Sequence, residues 1–187
     1  MAGRAVLGIL FAFAFVRPVS ANPAGDYPVR SADLAKVKVT GGFWLSRFET
    51  NRLVTLRADF AKCEETGRIA NFANAGKKLG GARDYGAFKG IPFDDSDVYK
   101  VVEGAAYSLA AHPDPELERY VDGVIAKIVS AQEPDGYLYT ARTLGHEKIP
   151  GSGHAAMMGP RRWANTADGH ELYNAGHLYE AAVAYYE

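Results

Sequence analysis

His170-Glu171-Leu172-Tyr173-Asn174-Ala175-Gly176-His177-Leu178-Tyr179-Glu180-Ala181-Ala182-Val183-Ala184-Tyr185-Tyr186-Glu187 reads as one helix with two opposed stripes. At 100° per residue, Leu172, Ala175, Tyr179, Val183 and Tyr186 share one arc, while His170, Asn174, His177, Ala181 and Ala184 share the opposite one. The first stripe is expected to pack in a core. The second, small residues punctuated by two imidazoles and an amide, is expected to form the wall of a polar cavity. No Gly, Pro or basic last turn closes the helix before Glu187. On that pattern the chain is read as the front portion of a larger protein.

Working toward the N-terminus, Asp114-Pro115 caps and opens a helix whose core stripe is Leu117, Tyr120, Val121, Val124, Ile125 and Ile128. Pro134 and Asp135-Gly136 end it. Ser96 is expected to cap the preceding helix, in which Val98, Val101, Val102, Ala105 and Leu109 keep helical spacing. The short connection between these two predicts an antiparallel hairpin. An earlier helix spans about Phe43 to Lys62, with Leu45, Phe48, Leu56 and Phe60 on one face and Gly67 as its stop. Val37-Lys38-Val39 alternates like a short strand. Two Gly-rich stretches, Asn71 to Phe93 and Tyr137 to Thr166, lack periodicity and read as long loops, which in compact domains are usually functional or disordered. The final helix is expected to begin near Thr166 to Asp168. Paired helices joined by long loops predict an all-α fold, part of an (α/α)6 toroid whose inner helices line a cavity. A simple bundle would want shorter connections and no polar stripe.

Composition is that of an ordinary globular protein, 48% hydrophobic and 23% charged. A net charge of −1 offers no electrostatic case for nucleic acid or an anionic membrane as partner. Arg4 precedes an apolar run, Ala5 to Val16, that ends in Val19-Ser20-Ala21. The run falls short of the ~20 residues that span a bilayer and reads as a secretory signal, residues 1–21, cut after Ala21. Its loss removes Arg4 and Arg17 and no acid, moving the net charge from −1 to −3. A secreted or periplasmic protein is expected, with a lead-in over 22–40 and a catalytic-type domain over 41–187. The single cysteine, Cys63, allows no internal disulfide and no multi-cysteine metal site. It is expected to be a small buried hydrophobe.

Several residues carry candidate chemistry. His170 and His177 lie about 10 Å apart along a helix, so they do not share one metal ion. Both suit hydrogen bonding to a polyhydroxylated ligand, and both equally suit core positions bonded to backbone. Asp94-Asp95-Ser96-Asp97 complements a helix N-terminus, with Asp95 placed to project into a cleft. Tyr137, Tyr139 and Trp163 offer flat faces to sugar rings, although aromatics are also ordinary core material.

These motifs in their order resemble glycoside hydrolase family 127, the β-L-arabinofuranosidase-like enzymes. The likeness is carried by Gly41-Gly42-Phe43-Trp44, Cys63-Glu64-Glu65-Thr66-Gly67-Arg68-Ile69 with Asn71-Phe72, Phe93 to Lys100, Ala131-Gln132 with Asp135 to Leu138, and the His170 to Leu178 block. The resemblance implies an (α/α)6 barrel and hydrolysis of non-reducing-end furanosides with retention. It implies a cysteine thiolate nucleophile held with zinc by further cysteines and a glutamate, and a second glutamate as acid/base, all downstream of Glu187. On that reading this chain holds no catalytic residue or metal ligand and is itself inactive, with zinc expected in the full-length protein. His170 falls where the family's first histidine contacts the sugar, and His177 follows it. Where the family has Pro, an aromatic or His, and a substrate-reaching Gln, this chain has Arg57-Ala58-Asp59, and Asp59 accepts hydrogen bonds but does not donate them when ionised. The alternative from another class is a non-catalytic carbohydrate-binding or scaffold protein on an α/α toroid.

Overall fold

The expected first helix is a nearly unbroken rod: α1 (Gly42–Thr50), a π-helical turn (Asn51–Thr55) and α2 (Leu56–Glu65). In this computed structural model, residue 32 and residues 36–148 and 153–187 are described. The signal-type segment therefore lies outside the described residues. The π turn shifts the register of the buried face. Leu56 and Phe60 reach the core, whereas Leu45 and Phe48 of the same expected stripe stay exposed. Val37-Lys38-Val39 forms no strand, and the described residues contain none.

Gly67, at φ 83°, turns the chain out of α2 as expected. The expected loop from Asn71 onward is instead largely helical: α3 runs over Arg68–Leu79. Ile69, Phe72 and Ala75 recur on one fully buried face. Gly76 is no breaker but a contact point, because a Cβ there would meet the backbone carbonyl carbon of Ser130 at 3.1 Å. The irregular stretch begins only at Gly80.

α4 (Asp95–Ala111) starts after Asp94, not at a Ser96 cap. The Ser96 hydroxyl donates to the Phe93 carbonyl at 2.9 Å, and Asp94 accepts from the Ile91 N–H at 3.0 Å. α5 (Pro115–Ser130) is capped as expected, the Asp114 carboxylate accepting from the N–H groups of Glu116 and Leu117. The second long loop holds two short helices, α6 (Thr140–Thr143) and α7 (Gly153–Met157), and a 3-10 turn at His146–Lys148. α8 is Glu171–Tyr186.

Contacts along the elements give their directions. Arg57 faces Asp114, Phe60 faces Tyr120 and Glu64 faces Lys127, so α2 and α5 run the same way. Lys100 faces Tyr173 and Glu103 faces His177, so α4 and α8 are likewise parallel. The short α4–α5 connection reverses direction between these two layers. Val98, Tyr99, Val102, Phe72, Val121 and Val124 fill the space between them. Burying each large apolar side chain favours folding by about 1.5–3 kcal/mol. All these elements belong to one unit, Asp33–Glu187, an all-α arrangement of the α/α toroid kind.

The two stripes of α8 are reversed relative to expectation. Leu172, Tyr179, Val183 and Tyr186 are between 57% and 92% exposed, and Asn174, Ala181 and Ala184 are buried. α4 presents Ala105 and Ala106, both buried. Small residues on both helices let the two backbones approach closely, so the small stripe became the packing seam. The bulky residues could not enter it.

Candidate functional site

Because α4 and α8 are parallel, their N-terminal ends lie together, and the two expected imidazoles lie on that side with Phe93 and Tyr173. Phe93, two residues ahead of α4, stacks on His170 with ring centroids 4.3 Å apart and 26° between planes. Tyr173 stands edge-on to His170 at 5.8 Å and to His177 at 4.6 Å. Lys100 places its ammonium 5.0 Å from the Tyr173 ring, a cation–π contact that holds the ring's orientation. Phe93, His170, Tyr173 and His177 thus form a partly open ladder of alternating aromatic faces and imidazole edges. Such a surface offers apolar faces to C–H groups and nitrogens to hydroxyls.

His170 is not part of the helix but its N-cap, in a left-handed conformation (φ 56°, ψ 24°) that makes no side-chain cap bond. Its Nδ1 lies 2.6 Å from the Asp168 carbonyl oxygen. A carbonyl only accepts, so Nδ1 carries the proton. That tautomer leaves Nε2 as the acceptor of the neutral ring.

His177 is half-buried, with Nδ1 3.1 Å from a Glu180 carboxylate oxygen. Ligand atoms of Glu103, His177 and Glu180 lie within 4.8 Å of one another. Among the described residues this set, one imidazole and two carboxylates, has the donors to hold a divalent cation. His170 is not part of that set.

Asp59 is exposed on α2 and borders a shallow concavity of about 420 Å³ shared with Arg68, Asp97 and Lys100. Lys100 lines that hollow and also lies over the Tyr173 ring, which stands beside both imidazoles. Arg68 bridges Asp97 at 2.8 Å and Asp94 at 3.4 Å, which steadies the floor of the hollow.

Asp95 does not project into a cleft. It is 1% exposed, and its two oxygens accept from the Thr140 N–H at 2.7 Å and the Thr140 hydroxyl at 2.5 Å. The carboxylate clamps α4 to α6, and burial pushes its pKa up to about 7 against the Thr140 hydrogen bonds. Tyr137 and Tyr139 are also struts and not lining: both rings are buried, and their hydroxyls donate to Glu171 and to the Gly169 carbonyl, each at 2.5 Å. Trp163 is 48% exposed and packs edge-on against Tyr137 at 5.4 Å.

Sequence reasoning passed over Glu171. A Glu in the first turn of a helix ordinarily faces water and complements the dipole. Here it is 2% exposed and accepts from the Tyr137 hydroxyl and, at 2.7 Å, from the Trp163 N–H, with Arg142 Nε 3.7 Å away. A cleft of about 620 Å³ on another flank of α8, lined by Leu138, Leu178, Ala182 and Tyr185, is apolar and carries none of the imidazoles.

The family model described as β-L-arabinofuranosidase, GH127 catalytic domain, matches residues 36–187. The chain belongs to the GH127 family. A solved GH127 β-arabinofuranosidase superposes with a TM-score of 0.71 at 46% identity, covering 82% of this chain and 23% of its own. The GH127 β-L-arabinofuranosidase Ara127N-Se from Geobacillus stearothermophilus T6 gives 0.66 at 37% identity, over 80% of this chain and 22% of its own. The non-reducing end β-L-arabinofuranosidase of Bifidobacterium longum subsp. longum is 44% identical over 101 residues, 54% of this chain and 14% of that protein. The chain thus spans less than a quarter of the length of these relatives. The GH127 match takes in every element from α1 to α8, and with them the ladder, the Asp59 hollow and the Glu171 network.

Proposed function

We propose that this GH127 protein is an exported glycosidase that releases non-reducing-end L-arabinofuranosyl or related sugars, with residues 36–187 contributing part of the sugar-binding wall. The observation that carries the reading is the His170 ring. It is stacked on Phe93, its tautomer is fixed by Asp168, and its Nε2 is the acceptor a sugar hydroxyl requires. Tyr173 and His177 extend the wall along α8, Asp59 adds a carboxylate from α2, and Trp163 adds an exposed aromatic edge beside Glu171.

Bond cleavage is assigned elsewhere than to Cys63. That thiol is buried, and burial together with the nearby Asp97 pushes its pKa up to about 11, the reverse of what a nucleophilic thiolate needs. The zinc that family resemblance implies calls for cysteine thiolates, and the chain's lone buried cysteine does not fit that site. The role proposed for these residues is therefore to bind and orient the sugar, which contributes to catalysis by positioning.

Hydrolysis of an aryl β-L-arabinofuranoside tests the reading. The full-length wild-type protein is expected to turn over and residues 36–187 by themselves are not. In the full-length protein His170→Ala is expected to raise KM about tenfold, the loss of roughly one good hydrogen bond. Sugar binding without turnover would support the non-catalytic carbohydrate-binding alternative instead, and neither binding nor turnover sinks both. For export, N-terminal sequencing of secreted protein is expected to begin at Asn22.

A further inference from the structure

Among the described residues, the non-glycine positions with positive φ are Trp163 (62°) and His170 (56°). Both are sugar-wall candidates, and both border Glu171, one through a hydrogen bond and the other as its neighbour in the chain. Glu171 is the next residue after His170, and its Oε2 accepts the Trp163 backbone N–H at 2.7 Å. Its Oε1 accepts the hydroxyl of Tyr137, whose ring supports the Trp163 indole at 5.4 Å and 88°. Left-handed backbone at a bulky residue is costly and persists only where its surroundings over-determine it. Glu171 supplies that constraint from inside the protein, with the Arg142 guanidinium, itself 9% exposed, balancing its charge. Arg142 in turn donates to the Met158 carbonyl at 2.6 Å, which ties α6 to the residue that follows α7.

We propose that Glu171 is a positioning residue for the sugar site. It locks the two strained backbones so that the Trp163 indole and the His170 imidazole are presented in fixed relation before any sugar arrives. Glu171 touches no ligand; it acts through the two residues that do. The inference rests on the sugar-binding reading of the His170 wall.

The test uses the full-length protein with Glu171→Gln, which keeps size and removes charge. Gln can still accept the Trp163 N–H and donate to the Tyr137 hydroxyl. Its NH2 then stands where Oε1 faced the Arg142 Nε, a donor against a donor with the balancing charge gone, so the side chain is displaced. On an aryl β-L-arabinofuranoside, kcat/KM is expected to fall about tenfold, comparable to the loss of the His170 side chain itself. The fall is expected mostly in KM. In a His170→Ala background the same substitution is expected to cost less than a third of that factor, since its effect passes through His170. Imidazole 15N spectra give a readout independent of turnover: His170, assigned by loss in His170→Ala, is expected as the Nδ1–H tautomer in wild type and as a tautomer mixture in Glu171→Gln. An effect that multiplies fully in the double variant, together with an unchanged His170 signal, would overturn the proposal. Wild-type protein that fails to hydrolyse the substrate refutes the glycosidase reading, and the His170 spectra then decide the positioning claim alone. If Glu171→Gln does not fold, Tyr137→Phe, which deletes one hydroxyl, is expected to show the same direction in both readouts.

Discussion

Replacing Asp95 by Asn should make the protein less sensitive to pH between acid and neutral conditions. Asp95 is 1% exposed and held at about 7, against 3.8 for an ordinary aspartate. A carboxyl whose pKa is raised by folding stabilises the fold fully below its unfolded value, and that contribution is lost as pH climbs through its folded value. Across this interval the unfolded chain gives up the proton and the folded chain keeps it. At ~1.36 kcal/mol for each pH unit, the loss is at most about 4 kcal/mol between acid and neutral pH. Asn is nearly isosteric. Its oxygen can accept the Thr140 N–H and its amide can donate to the Thr140 hydroxyl, so both clamps on α6 survive without an ionisation cost. Urea unfolding of wild type and Asp95→Asn at about pH 4 and about pH 8 measures the difference. The variant is expected to be no more stable than wild type at the lower pH and to gain on it by as much as a few kcal/mol at the higher. A gap that stays constant across the range would refute this account, because it would mean that Asp95 ionises alike in both states.

Gly76→Ala tests the α3–α5 contact: the added methyl meets Ser130, and overpacking of this kind costs about 1–3 kcal/mol. A thermal scan is expected to show a clear drop, and an unchanged melting temperature would mean that α3 and α5 are not packed this tightly. Cys63, buried with its thiol pushed up to about 11, is expected to resist an aromatic disulfide reagent near neutral pH until denaturant is added. Rapid labelling of native protein would contradict its place in the core.

Features governed by a few consecutive residues were legible from the chain. Asp114-Pro115 opens α5 because the cap bonds reach only two and three residues ahead. Gly67 ends α2 because its backbone alone admits the left-handed turn. The stripe of α5 was readable because Leu117, Val121, Val124 and Ile128 are both large and inward. α3 was missed because its glycine looked like a breaker, and only Ser130, far away in sequence, shows why a Cβ is absent there. The candidate site was half legible. His170 and His177 meet at Tyr173, Asp59 borders the hollow that Lys100 shares, and the Trp163 N–H bonds to Glu171, the residue after His170. Asp95 turned inward because Thr140 supplies two donors that its own helix does not announce.

Taken alone, the amino-acid order determined the helical class, the opening of α5 and the end of α2, the GH127 resemblance and the imidazoles worth watching. Each of these depends on local backbone geometry or on motifs read in series. Packing decided which side of α8 faces α4: the small stripe, matched in size to Ala105 and Ala106, forms the seam. Packing also decided the role of Glu171. A carboxylate becomes an anchor only when Tyr137, Trp163 and Arg142, spread over more than twenty residues of chain, are folded around it. No spacing rule encodes that meeting, because it depends on burying the Glu171 carboxylate among groups brought from elsewhere in the chain.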